Sequence, residues 1–442
     1  MWPVRQVQAS SARCGAARSR GLNGVNLGTV KGVNRSILLL ATRALQPVSR
    51  VELASVTGLN PSTVSKIVDE LASADLLVED APRARTGAGR PARLLRVNDS
   101  ARHLVGIDIS REAVTVALVN LGGEVVWDRT EPVAPDADAD AVLASVIRAV
   151  NELLSGLSLE RRRRVLGIGV GAPGPLRHDA GTIVAPPNFP HFSHVPVRDL
   201  LADRFGLPAF LENDANACAL AEQWFGAMRD VDNFVYLAVG SGVGAGVVIG
   251  GQLYRGHGDL AGEIGHTSID PLGPHCDCGN RGCLELYTSE RRLLSLVGQR
   301  LSGPEGETLR TLVSQRGGRL TAALVYQAAS LGDTLSQAVL SEIGFYLGVG
   351  IVNAINMFDP EAIVIGRSMA AAGRHLLDPI RSVVGERSFP KVASNVRIVP
   401  GMLGDRAPVV GAATLVLSQY YANPLALAGD GRAGVRVEVV SG

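Results

Sequence analysis

Aromatic residues, cysteines and net charge are all scarce in this chain of 442 residues, and each shortage narrows what it can be. Aromatics are 4% of the sequence, whereas glycine occurs 51 times. That balance suits an α/β protein whose cores are aliphatic and whose turns are tight. Five cysteines in this length do not make a disulfide framework, which points to a reducing, cytoplasmic setting. The first thirty residues carry Arg5, Arg13, Arg18 and Arg20 but no apolar stretch, so they do not read as a secretory signal. No G-x-x-x-x-G-K-[ST] pattern occurs, which excludes a P-loop. Long uncharged runs are also rare. Residues 234–251, FVYLAVGSGVGAGVVIGG, pass the crude length test for a membrane span. Six of them are glycine and most others are β-branched or small, so a glycine-turned pair of buried strands is expected and no membrane partner.

What is present is ample apolar material, 46% against 19% charged, in a chain long enough for two or three domains. The net charge of +1 hides an asymmetry. Residues 1–100 hold 14 Lys/Arg against 7 Asp/Glu, and the remaining residues hold 29 against 35. A basic head on a mildly acidic body suggests that the head meets a polyanion.

Residues 1–32 lack periodicity and are expected to be a disordered basic arm or an upstream extension. Order is expected from Val33, where NRSILLLATRAL has helical spacing. Ser49-Arg50-Val51-Glu52 is a capping-box pattern before a short helix that ends at Gly58. Asn60-Pro61 then opens PSTVSKIVDELASAD, with Val64, Ile67, Val68 and Leu71 as its apolar stripe. This order predicts a helix-turn-helix whose second helix presents Ser62, Thr63, Ser65 and Lys66 to DNA bases. LLVED and ARLLRV read as two wing strands around PRARTGAGRP, which carries Arg83, Arg85 and Arg90, with Arg93 just beyond it. Arg90, between Gly89 and Pro91, is suited to a narrow minor groove. A winged helix-turn-helix over residues 33–100 is therefore expected; the alternative is a protein-interaction module with a solvated basic loop.

From His103 onward strands lead. HLVGIDIS, AVTVALVNL and EVVWDRTEP are followed by a helix over residues 137–154 and the strand VLGIGVGAPGPL; a related order restarts at residue 233. Two strand-led halves predict a duplicated, two-lobed actin-like fold of the hexokinase type, built on RNase H-like halves. The first lobe is placed at 101–230, completed by a helix near 408–421, and the second at 231–407; residues 422–442 form a tail. Gly240, Gly242 and Gly244 mark a turn whose amides can face a phosphate or simply shape a hairpin. Glu212, Asn213 and Asp214 stand where a strand becomes a helix. Asn213 and Asp214 there suit either a cap or a grip on adjacent sugar hydroxyls, with Asp214 able to act as a general base.

Cys276-x-Cys278-x4-Cys283 contains Gly279 and Gly282, which let the chain fold back and converge its thiolates. A divalent metal relieves their repulsion, and Zn²⁺ favours four ligands. His275 lies too close to Cys276 for a tetrahedral site, whereas His266 has enough chain to reach back. A closed, structural zinc site of His266, Cys276, Cys278 and Cys283 is expected; a C-x-C spacing is not that of a thioredoxin-like redox pair.

GEIGHTSID and CDCGNRGCLE within 262–285, GIGVGAPGP (167–175), LENDANACALAE (211–222) and AVGSGVGAGVVIGGQLYRG (238–256) together resemble the ROK family of repressors and sugar kinases. The resemblance runs over nearly all of residues 33–420. It implies an actin-like fold, a sugar in the cleft, a nearby zinc ion and a homodimer or homotetramer. By motif, Asn213, Asp214, Glu263, His266 and Glu285 would contact the sugar, with His266 serving zinc and sugar through different ring nitrogens. Two departures from the kinase pattern stand out. The first strand pair of kinase members carries Asp-x-Gly-Gly-Thr-Lys, and here Asp108 is followed by Ile-Ser-Arg-Glu-Ala. The late Gly-Gly of the nucleotide side reads Gly366-Arg367. Both imply that ATP is not used and that the glycine turn is vestigial. The expectation is a DNA-binding, sugar-responsive regulator, most simply a repressor of carbohydrate uptake or catabolism; a sugar kinase retaining a DNA-binding head is the alternative.

Overall fold

The computed structural model describes residues 27–80, 93–134, 136–186, 189, 192–389, 395–422 and 424. Helix α1 (Leu27–Leu45) starts at Leu27 rather than near Val33, so the last residues assigned to a disordered arm are helical. Gly28 and Gly32 weaken a helix without breaking it, and no proline intervenes. Helix α2 (Arg50–Thr57) opens on the expected capping box, with both of its hydrogen bonds present, and ends at Gly58 in a left-handed conformation (φ +69°). Helix α3 (Pro61–Ser73) is capped by Asn60 and buries Val64, Ile67, Val68 and Leu71. Strands β1 (Val48–Ser49), β2 (Leu77–Glu79) and β3 (Leu94–Val97) form an antiparallel sheet in the order β1-β3-β2. The wing residues Arg83, Arg85 and Arg90 lie outside the described residues.

The body holds two five-stranded sheets of one plan. In the first, β4 (His103–Ile109), β5 (Ala113–Asn120) and β6 (Val125–Pro132) form a meander, and β7 (Val165–Ala172) runs parallel to β4. Helices α4 (Ala139–Ser155) and α5 (Leu159–Arg163) lead into β7, and after it a small hairpin of β8 (Leu176–Arg177) and β9 (Thr182–Ile183) precedes α6 (Val197–Phe205). Strand β10 (Ala209–Asn213) then completes the order β10-β7-β4-β5-β6. After α7 (Asp214–Phe225), the second sheet repeats the plan. Strands β11 (Phe234–Val239), β12 (Val243–Ile249) and β13 (Gln252–Leu253) form the meander, and β14 (Ala362–Gly366) and β15 (Arg397–Pro400) add in parallel. Repetition of one strand order is the duplication expected of an actin-like fold. The uncharged run 234–251 is the β11–β12 hairpin and its following turn.

Helix α7 leaves the first sheet and packs on β11 and β12 of the second. The last helix, Ala407–Ala422, returns from the second sheet to lie on β4 and β7 of the first. The two helices also pack on each other, so they tie the halves together. The last helix meets β4 and β7 at glycines. A Cβ at Gly106 would stand 2.1 Å from the Val409 carbonyl oxygen, and one at Gly169 would stand 1.8 Å from that of Ala412. The helix Thr334–Phe358, long and apolar enough to cross a membrane, instead fills the second half's core, with Leu340, Ile343, Leu347 and Ile351 fully buried.

Candidate functional site

Strand β10 ends and α7 begins at Asn213–Asp214, and the structure realises the capping reading of that pair. Asn213 caps α7: its Oδ1 accepts from the amides of Ala215 (2.9 Å) and Asn216 (3.2 Å). Its Nδ2 lies beside Gly174, where a Cβ would stand 3.2 Å from both that Nδ2 and Glu263 Oε1. Gly174 therefore lies close against both hydrogen-bonding groups, where a side chain would crowd them. Asp214 Oδ1 accepts from Ala215 N at 2.9 Å, and Oδ2 receives Arg367 Nη2 at 2.6 Å. Glu212, next in line, faces the other way. It is buried, accepts from Asn216 Nδ2 at 3.0 Å and pairs with Arg255 Nε at 2.7 Å, a bridge between the halves.

Burial raises the Glu263 carboxyl above its ordinary value, and the neighbouring charges of Asp214 and Glu285 push in the same direction against the pull of His266. Four of the five expected sugar contacts therefore lie within one electrostatic neighbourhood, and Asn213 adjoins it. Glu285 also performs a second task. Its Oε2 accepts from Val243 N at 3.0 Å, so a carboxylate engages a backbone amide of the glycine turn 240–244. A phosphate would compete for the same amide, and the negative charge of Glu285 disfavours it.

The cysteine knuckle is built as its spacing suggests. Ligand atoms of His266, Cys276, Cys278 and Cys283 all lie within 4.8 Å of one another. Cys278 Sγ and Cys283 Sγ are 3.7 Å apart, and Cys276 Sγ is 3.7 Å from His266 Nδ1. A tetrahedron with metal–sulfur bonds of ~2.3 Å has edges of roughly 3.8 Å, so the set fits a four-coordinate ion. Gly282, at φ +60°, makes the return possible, because a Cβ there would lie 1.7 Å from the Asp270 carbonyl oxygen. With Nδ1 toward the sulfurs, His266 Nε2 stays outside the ligand set.

In the head, Ser62 and Lys66 are exposed on α3, and Thr63 and Ser65 are half-buried. Arg93 is not a free wing cation, because it pairs with Glu79 at 2.9 Å, and Glu79 also holds Arg50 at 2.7 Å. One residue with no signal in the sequence joins head to body. Arg43 of α1 donates to the carbonyls of Leu121 (2.9 Å) and Trp224 (3.2 Å). Its guanidinium lies over the rings of Phe225, Trp224 and Tyr421 at 4.6, 4.8 and 5.6 Å.

Two sheets of one strand order with paired helices between them place the body in the actin-like class. Within that class, the model of the ROK family matches residues 104–419, and the chain belongs to the ROK family. It is 32% identical over 395 residues to the xylose repressor of Caldicellulosiruptor bescii, covering 89% of this chain and 98% of that one. Among solved structures it is similar to a ROK family transcriptional regulator described as a homologue of the Escherichia coli MLC protein. That likeness has a TM-score of 0.76 and 31% identity, over 90% of this chain and 99% of the other. A ROK family glucokinase from Streptomyces griseus, in complex with glucose and AMPPNP, matches with a TM-score of 0.64 and 29% identity. It covers 72% of this chain and 99% of its own.

Proposed function

We propose that this protein is a transcriptional regulator, most simply a repressor of carbohydrate uptake or catabolism genes, whose DNA-binding head is controlled by a sugar held in the cleft. The observation that carries the reading is helix α7. Its cap Asn213 and first residue Asp214 are two of the sugar contacts in this reading, and its last, Trp224 and Phe225, lie under Arg43 of the head. Twelve helical residues span about 18 Å, so one rigid element touches both sites. A sugar that binds one arrangement of the halves more tightly than another would shift the position of α7, and with it the head.

In this reading Asn213, Asp214, Glu263, His266 and Glu285 hold the sugar hydroxyls. Ser62, Thr63, Ser65 and Lys66 face base edges, and Arg90 reaches the minor groove. His266, Cys276, Cys278 and Cys283 hold a structural Zn²⁺ that fixes His266 and, two residues beyond Cys283, Glu285. The protein acts as a homodimer or homotetramer, because paired heads read half-sites about one helical turn apart. The relatives named as repressors over nearly their whole length support regulation over catalysis. So do the loss of the first phosphate motif and the ion pair on Asp214. The test is binding to DNA upstream of its own gene, with and without D-xylose, D-glucose and N-acetylglucosamine. A sugar that binds but leaves DNA affinity unchanged would refute the coupling. Transfer of phosphate from ATP to a sugar, abolished by Asp214→Ala, would favour the kinase reading.

A further inference from the structure

Arg367 follows β14 of the second half, yet its guanidinium ends between two first-half carboxylates, Asp108 on β4 and Asp214 at the start of α7. Nη2 lies 2.6 Å from Asp214 Oδ2 and 3.8 Å from Asp108 Oδ1. Asp108 is 8% exposed, and its Oδ1 has no hydrogen-bond partner among the described residues. On the way, the side chain passes the glycine turn, with Cδ at 3.6 Å from where a Cβ on Gly240 would stand. The backbone of Arg367 has φ +58°, a region that favours glycine, and its amide donates to Tyr236 Oη at 3.2 Å. A bulky cation is thus held in a glycine-type conformation, at the cost of strain that only surrounding contacts sustain.

We infer that Arg367 is a positioning residue for sugar binding: it supplies the counter-charge that fixes Asp214 as a hydroxyl acceptor and compensates the buried Asp108, across the cleft. The inference rests on the sugar reading above. Its physical logic is direct. Two carboxylates meet in a poorly hydrated space, and without a cation one of them must withdraw, take up a proton or rotate toward water. With the guanidinium in place, Asp214 stays fixed, and a carboxylate has about four lone-pair directions, so acceptor capacity remains for a sugar hydroxyl. The Oδ2 engaged by Arg367 is not free to take a hydroxyl proton. The same ion pair that prepares the cleft for binding therefore opposes phosphoryl transfer, and the guanidinium occupies the path between the glycine turn and the sugar.

The test uses the full chain with Arg367→Gly, which suits the φ of the position and relieves its strain, and Arg367→Lys, which keeps the charge. Binding of D-xylose, D-glucose and N-acetylglucosamine is measured by titration calorimetry. The sugar that binds the unsubstituted protein is expected to bind Arg367→Gly at least tenfold more weakly, about 1.4 kcal/mol, with Arg367→Lys between the two. Charge compensation is read separately, without sugar, from the gain in Tm produced by Asp108→Asn. That gain should be larger in the Arg367→Gly background than in the unsubstituted chain. Sugar affinity unaffected by Arg367→Gly, or equal Tm gains in both backgrounds, overturns the inference alone. Failure of all three sugars to bind the unsubstituted protein overturns the sugar reading and this inference with it.

Discussion

Replacing Arg43 should separate the head from the cleft without touching either binding surface. Its guanidinium donates to two main-chain carbonyls, one of them Trp224 O in the last turn of α7, and lies within 5.6 Å of three ring centroids. Hydrogen bonds involving a charged group contribute about 1.5–3 kcal/mol each, and a desolvated cation–π contact adds about 0.5–2. These terms overlap, because one rigid group makes them all, so Arg43→Ala should cost about 3 kcal/mol of head–body docking. Arg43→Lys should recover only part, since an ammonium cannot stack or bridge two carbonyls as a planar fork does. The assay is DNA binding by fluorescence anisotropy across a sugar titration. Allosteric coupling typically spans about 5- to 150-fold; in Arg43→Ala it should collapse toward one, while sugar binding alone and DNA binding alone remain measurable. Coupling of unchanged size in Arg43→Ala would refute the transmission route through α7.

Cys276→Ser should lose the metal, read as zinc per chain by atomic emission, and should weaken sugar binding at least tenfold, because the knuckle positions His266 and Glu285; full affinity without metal would break that link. Burial raises the Asp108 carboxyl to about 6 from an ordinary 3.8, so the native state retains a proton that the unfolded chain releases as pH rises through that interval. The resulting penalty is absent below about pH 4 and complete above about pH 6. Asp108→Asn is therefore expected to stabilise the protein by about 3 kcal/mol near neutrality and by almost nothing at acid pH, measured by chemical denaturation; equal gains at both would contradict the assignment. Lys66→Ala should weaken DNA binding and relax sequence preference, as a base-edge contact requires; uniform weakening across sequences with a slope of log affinity against log salt lower by about 1 would instead place Lys66 on a phosphate.

Local chemistry was legible from the sequence wherever it was decided by near neighbours. The Ser49–Glu52 capping box, the Gly58 stop and the Asn60-Pro61 start depend on groups within a few residues, and the structure realises each. The knuckle was legible because its glycines and sulfurs lie close in the chain. Strand β1 was not, since two residues carry no period. The start of α1 was placed too late because its two glycines lowered the apolar signal without ending the helix. Long-range contacts were the least visible. Arg367 stood out as a departure from a glycine pair, but its partner Asp214 is 153 positions away. Arg43 gave no signal, with its carbonyl partners 78 and 181 positions distant.

The central claim is that sugar and DNA binding are linked in one molecule, and linkage is reciprocal. The most direct measurement is the sugar dissociation constant with and without saturating DNA, set beside the DNA dissociation constant with and without saturating sugar. The account predicts that both change by the same factor, at least about fivefold. Two affinities that are each indifferent to the other ligand would contradict it.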